Sequence, residues 1–121
     1  EMCIRDRQYS DGYQAVFNGL VLYKTYLELW GREAWAVTAV YLHFLAEFED
    51  SHVVRKHGNE MAQAVQLEAK NHFQHFTAQE NPKLYQASLL GWDADLKKRG
   101  INPGTSADLT VACLLAFNLL H

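Results

Sequence analysis

Apolar residues recur at intervals of three and four through nearly the whole chain, and no long segment alternates apolar with polar residues. The first pattern lines one face of an α-helix; the second, which a half-buried strand needs, is missing. About five helices follow from the stripes. Tyr13, Val16, Phe17, Leu20, Tyr23 and Leu27 define the first, closed by Gly31. A second is expected from about Glu33 to Glu49, with Ala34, Val37, Tyr41, Phe44, Leu45 and Phe48 on one face. The third begins after Gly58 and carries Met61, Ala62, Val65, Ala69, Phe73 and Phe76. Asn81-Pro82 breaks the chain, and Pro82 suits a first helical turn, where no N–H is needed. Tyr85, Leu89, Trp92 and Leu96 form the fourth stripe, with Gly100 as its stop behind Lys97, Lys98 and Arg99. A fifth helix is expected from Thr105, apolar on nearly every side and therefore central. Short connections favour antiparallel neighbours, so the fold class is all-α, a helical bundle.

At 121 residues the chain suits one small domain. Hydrophobic residues make up 49% and charged ones 21%, which argues for a folded globular protein over a disordered one. A net charge of -3 provides no field to gather nucleic acid or an anionic membrane. The two cysteines, Cys3 and Cys113, make neither a disulfide framework nor a zinc site. The N-terminus lacks the apolar core of a signal peptide. The apolar run from Leu109 to Leu120 is interrupted by Thr110 and Asn118 and is too short to span a bilayer. A reducing, cytoplasmic location is the expectation. Residues 1–7 resemble a peptide encoded by sequencing-adapter DNA and are read as a non-native extension, and the chain ends inside an apolar pattern at Leu119-Leu120-His121.

Two segments go beyond what a bundle requires. In the first, His43, Glu47 and Asp50 are spaced i, i+4, i+7, so one helical face would present all three and suit a divalent metal such as Mg²⁺. Arg55 and Lys56 follow at once and suit phosphate oxygens. The plainer reading, which spacing alone favours, is a helix end with a solvated charged tail. His52 and His57 are read as surface residues. In the second segment, Pro103-Gly104 is a turn and Thr105 or Ser106 an N-cap; with Thr105 in that place Asp108 falls three residues on. The same geometry feeds a helix N-terminus that suits a phosphate, with Asp108 near a metal or a ribose hydroxyl. Capping and binding stand level there. His72 reads as a core-edge histidine, Trp30, Trp35 and Trp92 as core residues, and Lys97-Lys98-Arg99 as a solvated last turn.

In this order, Asp50-Ser51-His52-Val53-Val54-Arg55-Lys56-His57-Gly58 and Asn102-Pro103-Gly104-Thr105-Ser106-Ala107-Asp108-Leu109 resemble the triphosphoribosyl-dephospho-CoA synthase family. The resemblance implies an all-α transferase, with residues 8–121 as the C-terminal part of a longer all-helical domain. It implies ATP as substrate, Mg²⁺ as its ion, 3′-dephospho-CoA or a related alcohol as acceptor, and release of adenine. Carried over, it gives Asp50 and Asp108 catalytic roles, metal-bound or ribose-facing, with Glu47 and His43 beside Asp50 at the metal. Arg55 and Lys56 would bind phosphate, Gly104 and Ser106 would cradle it, and Asn102 would orient the loop or a ribose hydroxyl. Family members are much longer, so this part would hold half a site. The expected partners are small molecules, with no nucleic acid or membrane, and homo-oligomer formation is left open. A non-catalytic helical module that binds a nucleotide or a partner, and a bundle whose polar segments are only caps and turns, are the alternatives.

Overall fold

The computed structural model describes residues 4–104, with side chains from residue 14 onward. Among these residues there are five α-helices, one 3₁₀ turn and no strand. The helices are α1 (Ile4–Trp30), α2 (Glu33–Glu47), α3 (Ser51–His57), α4 (Asn59–Thr77) and α5 (Gln86–Lys98), with the 3₁₀ turn at Pro82–Tyr85. The all-α bundle is the fold that the stripes require. The helix expected from Thr105, and with it Ser106, Asp108 and Cys113, lies outside the described residues.

Helix α2 is the centre of the packing, lying against α1 on one side and α4 on the other. Its Ala36, Val40 and Phe44 pack with Ala15 and Tyr23 of α1. Ala39 and Leu42 pack on Phe76 of α4. Leu45 and Ala46 join Val53, Val65 and Ala69. So many alanines let the backbones approach closely, while each fully buried Phe or Leu contributes roughly 1.5–3 kcal/mol. Phe76 is completely buried beneath the rings of Trp30, 5.0 Å away edge-on, and Trp35 and Tyr85, each 6.4 Å away.

The ends of the helices follow the chemistry of their residues. Gly31 closes α1 with φ 70°, its N–H donating to the Leu27 carbonyl at 2.8 Å. Pro82 opens the 3₁₀ turn, and the Asn81 side chain caps it by accepting from the Lys83 N–H at 3.1 Å. The expected fourth helix therefore begins with a tighter turn than α geometry. Helix α5 ends in a Schellman motif around Gly100, whose φ is 73°. The Gly100 N–H donates to the Lys97 carbonyl at 3.0 Å and the Ile101 N–H to the Leu96 carbonyl at 2.9 Å. Ile101 and Leu96 complete the motif by burying their side chains in the same core.

One boundary departs from expectation. The second helix stops at Glu47 rather than Glu49, because Phe48 (φ −130°, ψ 144°) and Asp50 (φ −67°, ψ 122°) are extended. A new helix, α3, starts there. Asp50 is its N-cap, with Oδ1 accepting from the His52 N–H at 2.9 Å and the Val53 N–H at 3.3 Å. Gly58 ends α3 and begins α4 in one residue, at φ 91° and ψ 171°, a conformation open almost only to glycine.

Candidate functional site

Separated by more than forty positions in sequence, the two polar segments meet in the structure. His57 Nε2 lies 2.9 Å from the Gly100 carbonyl oxygen. Val53 shares a core cluster with Ile101. The backbone of Gly104 rests on the ring of His52: a Cβ there would stand 2.9 Å from His52 Cδ2 and 3.1 Å from Cγ and Nε2. That close approach gives Gly104 a physical reason to be glycine.

On α3, Val53 faces the core while His52, Arg55 and Lys56 are exposed. Those three are spaced i, i+3, i+4, so they share one helical face. His52 touches Gly104, which places the two cations on the face that adjoins the Asn102–Gly104 turn. Neither Arg55 nor Lys56 makes an ion pair among the described residues. The solvated tail expected from spacing is thus a short helix with an inner and an outer face.

The metal set expected from His43, Glu47 and Asp50 does not come together on a helical face, because α2 ends at Glu47 and the extended backbone beyond it carries Asp50 elsewhere. His43 is half-buried against the rings of Phe44 and Phe73. Burial pushes its pKa below the usual value, and the charge of Glu47 only partly opposes this. Asp50 is 3% exposed, with Oδ1 engaged in the cap. Among the described residues no group of three or more His, Cys, Asp or Glu is placed to hold a metal ion. His43, Glu47 and Asp50 therefore do not share the single helical face that their i, i+4, i+7 spacing required.

A cavity of about 480 Å³ lies beside the turn. Among the described residues its walls include Trp35 and Tyr41 from α2, Leu89 and Trp92 from α5, and Asn102 and Pro103. Gln86, Asp93 and Lys97 add polar groups, the last two bridged at 2.8 Å on the surface. Tyr41 links this cavity to the cap of α3. Its hydroxyl pKa is pushed up to about 12, first by burial, then by the negative charges of Asp50 and Asp93.

Trp92 is held from behind. Its Nε1–H donates to Glu68 Oε1 at 2.8 Å, and Arg99 donates to both oxygens of the same carboxylate, at 2.8 and 3.4 Å. Burial pushes the Glu68 carboxyl up, but the hydrogen bonds from Arg99 and Trp92 and the charge of Arg99 outweigh it, leaving the pKa low. Arg99 also pairs with Asp95 at 2.8 Å. This corrects the expectation of a solvated last turn: Lys97 and Lys98 are exposed, whereas Arg99 is drawn inward as a fork on Glu68. His72 matches its expected core-edge role, with Nδ1 2.8 Å from the Tyr85 hydroxyl and its ring 4.6 Å from Trp92.

Tyr41, Glu68 and Arg99 were not singled out as site residues by their sequence positions. Tyr41 reads as one more stripe residue, and Glu68 and Arg99 are too far apart in sequence for local spacing to pair them.

Residues 4–121 match the model of a family described as ATP:dephospho-CoA triphosphoribosyl transferase. No curated protein and no solved structure matches the chain.

Proposed function

The chain belongs to the ATP:dephospho-CoA triphosphoribosyl transferase family, and from that membership we propose that it takes part in transfer of the triphosphoribosyl group of ATP to 3′-dephospho-CoA or a related alcohol, with release of adenine. The observation that carries this reading is the junction of the two motifs, where the Gly104 backbone lies on the His52 ring of α3. It acts as the C-terminal part of a longer helical synthase, in the cytoplasm.

In the proposed reaction the acceptor hydroxyl oxygen bonds to the anomeric carbon of the ATP ribose. The bond from that carbon to the adenine nitrogen breaks, adenine keeps the electron pair, and the hydroxyl proton ends on the departing base. Positive charge gathers on the ribose in the transition state, and a carboxylate beside it lowers the barrier. Asp108 takes that role. Arg55 and Lys56, on the α3 face beside the turn, bind the triphosphate as fork and point charge. Gly104 and Ser106 form the phosphate-cradling turn, and Asn102 orients a ribose hydroxyl. Asp50 acts through α3, holding the helix that carries the two cations, as its buried cap geometry favours.

The test is adenine release from ATP with dephospho-CoA and Mg²⁺, measured for this chain and for the chain extended to the full family length. Adenine from either form supports the reading, and Asp108→Asn should then abolish most of it. No adenine from both forms overturns it. Nucleotide binding without turnover in both forms would leave the non-catalytic module in its place.

A further inference from the structure

The two walls of the cavity at the Asn102–Pro103 turn differ in kind from the rest of the core. Trp35, Tyr41 and Trp92 bring aromatic surface to it, and each is only partly buried. Its size, about 480 Å³, falls within the roughly 300–1,000 Å³ of small-molecule sites, which are mostly apolar with a few placed polar groups. Gln86 and Asn102 are carboxamides, the side chains that pair with the hydrogen-bonding edge of adenine through one donor and one acceptor. Along the turn, Asn102 and Pro103 line the cavity, while the next residue, Gly104, lies on His52 beside Arg55 and Lys56. A ligand crossing this turn would meet a pocket with aromatic walls on one side and two cations on the other. That order matches a nucleotide, base first and phosphates after.

We propose that this cavity receives an adenine ring, held against Trp35 and Trp92 with its edge toward Gln86 and Asn102. The assignment rests on the transferase activity proposed above, and both substrates of that reaction carry adenine. Glu68 is a positioning residue for it: by accepting from Trp92 Nε1–H and from Arg99, it fixes the indole wall and the base of the turn together.

The chain has three tryptophans, so its indole N–H groups give three NMR signals that report separately. Trp30 stacks on Tyr26 at 4.7 Å and meets Phe76, away from the cavity lining, and serves as the internal control. Titration of the full chain with adenine should shift the Trp35 and Trp92 signals saturably and leave Trp30 in place. ATP and dephospho-CoA, titrated separately, identify the source: the nucleotide that shifts the pair at the lower concentration is the one whose base the cavity holds. Thr38→Trp, which fills the cavity from α2, should weaken the adenine response at least tenfold. Glu68→Gln should weaken it less and broaden the Trp92 signal selectively.

No saturable shift of the pair, equal shifts of all three signals, or a response to 4′-phosphopantetheine in place of adenine would each overturn the assignment. Adenine release from ATP without a shift of the pair sinks the cavity and leaves the transferase standing. A shift without release does the reverse.

Discussion

The α2–α4 scaffold and the α3–turn junction are held by different forces. In the scaffold, Phe44, Phe76, Leu42 and a set of alanines interlock, and Gln66 Nε2 of α4 donates to the Ala46 carbonyl of α2 at 3.1 Å. At the junction, a capping aspartate, a Schellman turn, a histidine on a carbonyl and a glycine under a ring add close, directional contacts to the packing of Val53 with Ile101. Apolar burial is large in energy and tolerant in geometry; caps and close contacts are small in energy and strict in geometry. The stability of this protein therefore resides mainly where its proposed chemistry does not.

The comparison breaks most easily at Phe76. Phe76→Ala, at a fully buried site, should cost about 3–5 kcal/mol in urea unfolding. A cost below about 1 kcal/mol would show that the scaffold core is loosely packed. Next comes Asp50→Ala, which removes the α3 cap and should cost about 0.5–2 kcal/mol, while Asp50→Asn should keep most of that stability. If Asp50→Asn folds normally yet loses adenine release, the carboxylate itself takes part in the chemistry, and its role exceeds positioning.

A smaller effect sharpens the junction further. Gly104→Ala places a methyl 2.9 Å from His52 Cδ2, and should cost about 1 kcal/mol in thermal unfolding. Adding His52→Ala should recover most of that loss, since it removes the ring that the methyl meets. Additive effects in this pair would mean that the ring and the glycine do not touch in solution.

The smallest expected effect belongs to the scaffold histidines. His43 and His72 both have pKa values lowered from 6.5, chiefly by burial. The unfolded chain then binds more protons than the folded one as pH falls below 6.5, so stability declines from that pH down through the folded pKa values. His43→Phe should flatten part of this slope, and NMR titration of the ring protons should show both midpoints under 6.5. A midpoint at or above 6.5 for either ring would mean that it is solvated.

Much of the scaffold was legible because burial repeats with the helix. The stripe from Met61 to Phe76, Gly31 as a stop, Pro82 in a first turn and Gly100 behind a basic turn all follow from local rules. The break after Glu47 did not. Phe44, Leu45 and Phe48 extend the apolar spacing smoothly, and charged residues after them are compatible with a helix. The signal was Asp50 itself, a strong N-cap followed by a buried Val53, which reads as a start as readily as an end. At the site, Arg55, Lys56, Asn102 and Gly104 were marked in sequence, and folding brings their segments together. The aromatic cavity was hidden because its walls come from two helices and a turn, and Trp35 and Trp92 look like ordinary core residues from spacing alone.

The Schellman turn has a consequence for how this region can change over time. Surface connections usually absorb added or lost residues. Here Ile101 is tied to Leu96 by backbone and side chain alike, and Gly100 is tied to His57. One inserted residue would advance the chain by about 3.8 Å and carry Gly104 off the His52 ring. Between Leu96 and Gly104 the number of residues is held as tightly as the glycines at 100 and 104.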